Sequence, residues 1–359
     1  MTSKLPSEPD KAARRRSKLR PWYRDPRVWA YLLVIPFGIL AYGTNFYVQL
    51  HLQLANSVPV TVDVARGESL ESVVQDLQSK GVFANPLQAR SLRWWARWSG
   101  AARAMRAGEY RIPPGTSPLG LLGLLSSNDV VLHKITFVDG WRFSQAWEAI
   151  ANDPAVHHTL PANASPAQVM SAIGHPGVAA EGLFFPDTYR FPRGETDVTL
   201  LRRAYAEMIQ RLAATWTQRA SGLPFDTPYD ALIMASLIEK ETAQPDELAR
   251  ISGVFARRLQ IGMRLQTDPS VIYGLGADFN GNLTLQDLKT DTPYNTYTRG
   301  GLPPTPICLP SQAALTAAVH PQAGQALYFV STGKGTHVFS DTLAEQNAAV
   351  RRYQLGDHQ

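Results

Sequence analysis

The sequence predicts an α+β protein with two folded parts behind one apolar segment. Its 359 residues, 44% of them apolar and 18% charged, are enough for more than one hydrophobic core. Strand-like and helix-like segments follow one another without an internal repeat. The uncharged stretch 28–48, VWAYLLVIPFGILAYGTNFYV, is long enough to cross a bilayer. Together these observations predict an N-terminal transmembrane helix, a small α+β module and a larger α+β domain.

Residues 1–27 form a basic tail. They contain nine Lys and Arg side chains against three acidic ones, a surplus larger than the net charge of +5 of the whole chain. The rest of the chain therefore has no basic surplus, which argues against a nucleic-acid-binding domain. Because the basic cluster precedes the apolar stretch and none directly follows it, the N-terminus is expected in the cytoplasm. The folded parts are then expected outside the cytoplasmic membrane.

Two other interpretations of residues 28–48 stay open. A cleaved signal peptide would have a shorter apolar run and a small-x-small cleavage pattern, and neither is found. A buried core helix would be weakened by Pro36, Gly38 and Gly43. The single cysteine, Cys308, cannot form an intrachain disulfide, so packing must stabilise the folded parts.

Residues 59–130 are predicted to form the small module. Ser69 is a typical N-cap, followed by acidic Glu71 in the first turn of a helix. The patterns predict, in order, a strand at 60–65, a helix from Ser69 to Gly81, a helix at 87–98, a strand at 108–112 and a helix begun by Ser117.

Residues 131–359 are predicted to form the larger domain. The patterns predict, in order, a strand at 130–138, a helix from Ser144, short helices and loops at 151–180, a helix at 197–220 and a helix that begins after Thr227. The start of the last helix is well marked, since Thr227 is an N-cap, Pro228 suits the first helical position and Asp230 suits the third.

Glu239 and Glu241 end this last helix. Two positions are about 200° apart around a helix axis, so both cannot face one cleft from a regular helix. This spacing argues against the paired-carboxylate arrangement of many glycosidases. One glutamate is then the candidate acid and the other a supporting residue. A Glu-Lys-Glu at a helix end is more often a solvated face. The preceding residues predict one apolar stripe, formed by Ala231, Met234, Ala235 and Ile238.

The segments that follow favour a functional interpretation of these glutamates. RLQTDP (264–269) is too polar for a core strand and predicts a turn at Gln-Thr-Asp-Pro. TPYNTY (292–297) combines aromatic and amide side chains, which suit sugar rings because they offer a flat apolar face and hydrogen-bonding groups. A rigid turn, GGLPP, follows at 300–304.

Five segments give the chain a resemblance to the YceG-like family of endolytic murein transglycosylases. They occur in the order found in that family and are spread over about half of the chain: EGLFFPDTY (181–189), ASLIEKET (235–242), FARRLQIGMRLQTDPSVIYGLG (255–276), TPYNTYTRGGLPP (292–304) and LYFVSTGKGTHVFSDTLAEQN (327–347). The anchor and the 59–130 module, which resembles the LysM-like module of the family, extend the likeness to nearly the full length. Two positions depart from the pattern, Thr305 in place of Gly and Gln346 in place of His.

The resemblance implies cleavage of the β-1,4 bond between N-acetylmuramic acid and N-acetylglucosamine inside a glycan strand. The product would carry a 1,6-anhydro ring, so the reaction uses no water. The catalytic glutamate of the family falls on Glu239. A protonated Glu239 would donate to the glycosidic oxygen, and its carboxylate would then accept the proton of the C6 hydroxyl. This role requires a pKa raised by an apolar wall, to which Leu237 and Ile238 would contribute.

The resemblance also implies residues that line the glycan cleft. Ordinary packing remains the alternative for Tyr273 and Tyr297, and turn capping the alternative for Asp268. Glu241 is either a partner of the acid or the acid itself. The expected substrate-binding residues are Glu241, Gln266, Thr267, Asp268, Tyr273, Tyr294, Asn295 and Tyr297.

The expected partners are peptidoglycan glycan strands, the membrane through residues 28–48, and the peptidoglycan synthases called penicillin-binding proteins. A site next to the membrane would cut nascent strands and limit their length. No H-x-x-x-H, Cys/His cluster or nucleotide-binding glycine pattern occurs, so neither a metal nor a cofactor is expected. Two other functions stay open: a lysozyme-like hydrolase that uses the same Glu and a water, and a non-enzymatic peptidoglycan-binding scaffold.

Overall fold

The computed structural model describes Thr2 and residues 26–355. It divides into two compact units, and the boundary in the chain lies between Asp129 and Val130. Of the predicted basic tail 1–27, only Thr2, Pro26 and Arg27 fall within the described residues. Both units mix helices with two-stranded sheets, which confirms the α+β class.

Helix α1 (Pro26–His51) contains the predicted apolar stretch. Among the described residues it is the one helix long and apolar enough to span a membrane. Its apolar side chains other than Leu50 are largely exposed and not packed in a core, which argues against the buried-helix alternative. Pro36 lies inside the helix, as is tolerated in transmembrane helices.

The first unit continues with five elements in the predicted order: β1 (Val60–Val64), α2 (Leu70–Ser79), α3 (Pro86–Ser99), β2 (Gly108–Ile112) and α4 (Pro118–Leu125). The predicted Ser69 cap is confirmed, since its hydroxyl accepts from the Ser72 amide at 3.2 Å. Strand β1 pairs antiparallel with β2, with Val60 opposite Ile112. Alternate residues of both strands are buried, with β1 in contact with α2 and β2 in contact with α4, as period-two patterns require.

The second unit is mostly helical. Its elements are β3 (Leu132–Thr136), α5 (Phe143–Ala151), α6 (Pro166–Ile173), β4 (Thr188–Pro192), α7 (Asp197–Thr217), α8 (Pro228–Glu241), α9 (Pro245–Gln260), α10 (Asp268–Leu275), α11 (Leu285–Lys289), α12 (Gln312–Val319), β5 (Tyr328–Ser331), β6 (His337–Ser340) and α13 (Leu343–Tyr353). Strand β3 pairs antiparallel with β4, and β5 forms a hairpin with β6.

Helix α8 is the central helix of this unit. Thr227 and Asp230 form the predicted capping box, and Pro228 occupies the first turn. All eight residues from Ala231 to Ile238 are buried. The four residues of the predicted stripe are buried, and burial extends beyond them because α7, α9, α10 and α12 pack around the helix on several sides.

The Gln-Thr-Asp-Pro segment differs from the predicted turn. No turn is assigned at residues 263–267, where Gln266 has a left-handed φ of 51°. Thr267 takes the N-cap position of α10, which then runs from Asp268 with Pro269 in its first turn. Tyr273 therefore lies on α10, which begins within the Gln-Thr-Asp-Pro segment.

Candidate active site

Glu239 and Glu241 lie where α8 leaves the core. The helix is buried as far as Ile238, and both glutamates are half-buried at its end. Both line one open cavity of about 280 Å³, with Asp139, Gly140, Lys240, Thr242 and Ala243. Both lie in the last turn of α8, which ends at Glu241, and their carboxylates bond to different segments, Glu239 to Ser311 and Glu241 to Thr267.

Glu239 is held by the first turn of α12. Its Oε2 atom accepts from the amide of Ser311 at 3.0 Å and from the Ser311 hydroxyl at 2.6 Å. The same hydroxyl accepts from the Ala314 amide at 3.1 Å, as an N-cap does. The carboxylate therefore lies at a helix N-terminus, where backbone amides and the helix dipole favour a negative charge.

The turn after β3 forms another wall of the cavity. Gly140 has a left-handed φ of 76°, and a Cβ added there would lie 3.8 Å from Cγ of Glu239. Its amide donates to Leu309 O at 2.8 Å and its oxygen accepts from Lys240 Nζ at 3.3 Å. These bonds hold the turn beside α8 and next to the segment that leads into α12.

Asp139, in this turn, is a site residue that the sequence reasoning missed. Its pKa is raised, first by partial burial and then by the negative charges of Glu239 and Asp187. A sequence signal was available, since Asp139-Gly140 directly follows a predicted strand and such pairs are typical of tight turns.

Glu241 has different surroundings. The Thr267 hydroxyl donates to its Oε1 atom. The pKa of Glu241 is raised to about 7, mainly by burial and to a smaller extent by the charge of Asp268, whereas the Thr267 hydrogen bond and Arg258 lower it.

The Gln266–Asp268 segment is attached to the TPYNTY segment. The Gln266 amide donates to Thr296 O at 3.2 Å, and the Thr267 amide donates to Thr296 Oγ1 at 3.0 Å. The Tyr297 hydroxyl donates to Asp268 Oδ1 at 2.5 Å. Thr267 is buried, whereas the side chains of Gln266 and Asp268 are exposed. The two motifs thus form one surface beside Glu241.

Tyr273 and Tyr294 form a second group. Their rings meet edge to face at 4.8 Å. The Tyr273 hydroxyl donates to Glu181 Oε2 at 3.2 Å, and the hydroxyls of Tyr294 and Thr305 lie 2.8 Å apart. Thr305, one of the two departures from the family pattern, thus anchors a predicted site residue.

Glu181 is a further residue that the sequence reasoning did not single out, although the EGLFFPDTY segment contains it. Its Oε1 atom accepts from the Phe143 amide at 2.8 Å. Burial raises its pKa, and these hydrogen bonds together with Arg142 act against the increase. The guanidinium of Arg142 also lies over the Tyr273 ring, 5.1 Å from its centroid. A lone Glu before a Gly gives no sequence signal for such a network.

Asn295 does not line a cleft. Its side chain is fully buried, and its Nδ2 donates to three backbone oxygens, of which Thr290 O is the nearest at 2.7 Å. Its Oδ1 accepts from the Tyr297 amide at 2.8 Å. Because both polar atoms of this side chain have hydrogen-bond partners in its own loop, Asn295 stabilises that loop. The expectation that Asn295 lines the cleft is corrected accordingly.

Cys308 is fully buried beside α8. Burial raises the pKa of its thiol, and the charges of Glu239, Glu181 and Asp139 add to the increase. The thiol donates to Ser236 O at 3.3 Å. Within residues 26–355, no cluster of three or more His, Cys, Asp or Glu side chains is arranged to hold a metal ion.

Comparison with known proteins gives a consistent result. The sequence profile of the YceG-like family matches residues 62–352. A Bacillus subtilis protein named endolytic murein transglycosylase is 27% identical over 313 residues, which cover 82% of this chain and 84% of that protein. One of the same name from Streptococcus pneumoniae is 25% identical over 76% of this chain, which spans 54% of that longer protein. The crystal structure of a YceG-like protein from Listeria monocytogenes aligns with a TM-score of 0.53 and 25% identity, covering 82% of this chain and 99% of that one.

Proposed function

This chain belongs to the YceG-like family, and we propose that it is an endolytic peptidoglycan transglycosylase with Glu239 as its catalytic acid and base. The observation that carries the proposal is the position of Glu239 at an open cavity, with its Oε2 atom fixed by Ser311. The name of the bacterial relatives, endolytic murein transglycosylase, supports the substrate class.

The two oxygens of Glu239 take different roles in this proposal. Both Ser311 donors use Oε2, and among the described residues no hydrogen bond uses Oε1. We assign Oε1 as the atom that faces the substrate. Carried by Oε1, a proton passes to the glycosidic oxygen as the bond from that oxygen to C1 breaks. The N-acetyl group of the substrate stabilises the positive charge at C1.

The second step reverses the role of Glu239. The C6 hydroxyl oxygen bonds to C1 and its proton returns to Oε1, which closes the 1,6-anhydro ring without water. Between the two steps Glu239 is a carboxylate, and the Ser311 donors at the start of α12 stabilise it in that form. One carboxyl in two protonation states therefore suffices.

The remaining site residues divide into two proposed roles. Gln266, Asp268 and Tyr297 present polar groups on the surface beside Glu241 and are assigned to glycan binding, as are Tyr273 and Tyr294. Thr267 and Asn295 are assigned to positioning the loops that carry them, and Glu241 to positioning Thr267.

The anchor is also part of the proposal. We assign α1 as a single membrane span with the basic tail in the cytoplasm and the folded units outside the bacterial inner membrane. Residues 59–130 would act as a LysM-like module. This arrangement keeps the enzyme near newly made glycan and supports association with synthases. Deletion should lengthen glycan strands, and unchanged strand lengths would count against a role in terminating elongation.

Product analysis tests the chemistry. The full chain in detergent, its Glu239→Gln variant and a Glu148→Gln control, which changes an exposed glutamate on α5, are incubated with purified glycan strands. We expect anhydro-ended fragments from the wild type and the control and none from Glu239→Gln. Reducing ends, one water heavier by mass spectrometry, would indicate a hydrolase instead, with Asp139 or Asp268 as a second carboxylate. No cleavage by any of the three proteins would favour a scaffold.

A further inference from the structure

We propose that one face of α3 docks on the surface of an anionic lipid bilayer beside the membrane-spanning helix. This α3 face consists of Leu87, Arg90, Trp94, Arg97 and Trp98. At about 100° per residue these five side chains fall within an arc of roughly 100°. The opposite side of the helix is buried in the first unit through Gln88, Ala89, Ser91, Leu92 and Ala96.

The α3 face is unusually apolar for an exposed surface. Leu87, Trp94 and Trp98 are 49%, 57% and 68% exposed. The rings of Trp94 and Trp98 stack in nearly parallel planes with centroids 6.3 Å apart, and Trp95 lies 5.4 Å from Trp98. Tryptophan is enriched at membrane interfaces, because its ring is apolar and its N–H group can still bond to water or headgroups.

The same face is basic. Residues 86–106 contain five arginines and no acidic residue. Arg93 pairs with Glu71 at 2.8 Å, but no carboxylate among the described residues pairs with the exposed Arg90 or Arg97. Arg97 also lines an open cavity beside Trp98, to which Arg93 and Arg103 contribute. Tryptophan and unpaired arginine on one helix face are typical of helices that lie on anionic membranes.

The position of α3 relative to α1 identifies the bilayer as the occupant. The two helices are in contact within the first unit, and the ring of Phe46 meets Trp94 edge to face at 5.2 Å. Phe46 lies about 30 Å along α1 from Pro26, which is close to the hydrocarbon thickness of a bilayer. Trp94 is therefore at interfacial depth if α1 spans, and the α3 face continues the apolar surface of α1.

A bromolipid quenching experiment tests the docking. The full chain is reconstituted in nanodiscs of phosphatidylglycerol and phosphatidylcholine with brominated acyl chains. A Trp94→Phe/Trp98→Phe variant keeps both positions apolar and removes their fluorescence, so the difference spectrum reports these two residues. We expect blue-shifted difference emission that loses most of its intensity in brominated discs. Water-like, unquenched emission would overturn the proposal.

Charge reversal tests the electrostatic part. Arg90→Glu/Arg97→Glu should abolish most of the quenching, whereas the control Arg66→Glu/Arg111→Glu, with the same charge change at exposed positions of the same unit, should leave it intact. Equal quenching in discs of phosphatidylcholine alone would contradict an anionic surface. If the emission instead responds to added glycan strands or to protein concentration, the occupant is glycan or a second copy. If the Arg90→Glu/Arg97→Glu variant were released from the discs, α1 alone would not be sufficient to anchor the chain.

Discussion

Glu239 and Glu241 end the same helix and line the same cavity, yet their surroundings differ. Glu239 is fixed through one oxygen by the first turn of α12, and its other oxygen has no hydrogen bond among the described residues. Glu241 receives the Thr267 hydroxyl, and burial raises its pKa to about 7. Glu239 therefore keeps one carboxylate oxygen available for substrate, whereas the Glu241 carboxyl is bonded to the Gln266–Asp268 segment.

This difference separates two properties that a catalytic glutamate is usually expected to combine. A raised pKa is typical of a catalytic acid. In this site, however, the clearest increase is at Glu241, whose carboxyl is bonded to Thr267. Geometry favours Glu239 as the proposed acid, because an acid must have an atom within reach of the bond it protonates. We therefore expect substitutions at the two positions to fail in different ways.

The largest expected effect is on turnover. Glu239→Gln should lower kcat by about 10²–10⁴-fold while the unfolding midpoint stays unchanged, because general acid–base catalysis contributes that much and the amide preserves the shape. Glu241→Gln should lower kcat far less. Rates of fragment release from glycan strands measure both. An equal loss in the two variants would contradict the division of roles.

The second effect is on the pH dependence of stability. The pKa of Glu241 is raised from 4.5 to about 7 in the folded protein, so the folded state binds the proton more tightly and stability is lost as pH rises between these values. The loss between pH 5 and pH 8 should be roughly 2–3 kcal/mol. Glu241→Gln should remove this dependence. Thermal unfolding of the full chain in detergent at both pH values measures the difference, with Glu148→Gln as the control.

A smaller effect is expected at Ser311. Ser311→Ala removes the N-cap of α12 and one of the two bonds to Glu239, which should cost about 1 kcal/mol of unfolding free energy. Ser311→Thr keeps the hydroxyl and should restore most of the loss. Turnover should fall by about tenfold in the alanine variant, since the backbone amide still holds Oε2. Full activity in the alanine variant would show that this hydroxyl is dispensable.

The smallest effect is expected at Tyr297. Tyr297→Phe removes the hydrogen bond to the exposed Asp268, which should change the unfolding free energy by at most about 1 kcal/mol. If these residues contact glycan, KM for long strands should rise while kcat is nearly unchanged. An unchanged KM would indicate that Tyr297 and Asp268 contribute to packing and do not bind glycan.

The features that could be predicted from the sequence are those formed by residues close together in the chain. The caps at Ser69 and Thr227 involve atoms within three residues, and both were identified from the sequence. The partners of the two glutamates could not be identified, because Ser311 lies 72 residues from Glu239 and Thr267 lies 26 residues from Glu241. The burial of α8 on several sides likewise depends on helices distant in sequence.

Cys308 has a practical consequence for spectroscopy. It is the single cysteine of the chain, it is fully buried, and burial raises the pKa of its thiol. Labelling requires an exposed thiolate to attack the reagent, so this cysteine should resist labelling in the folded protein. One cysteine can therefore be introduced in each unit and labelled with a spin label or fluorophore without replacing Cys308. Distances between labels on the two units would then measure their arrangement in a bilayer.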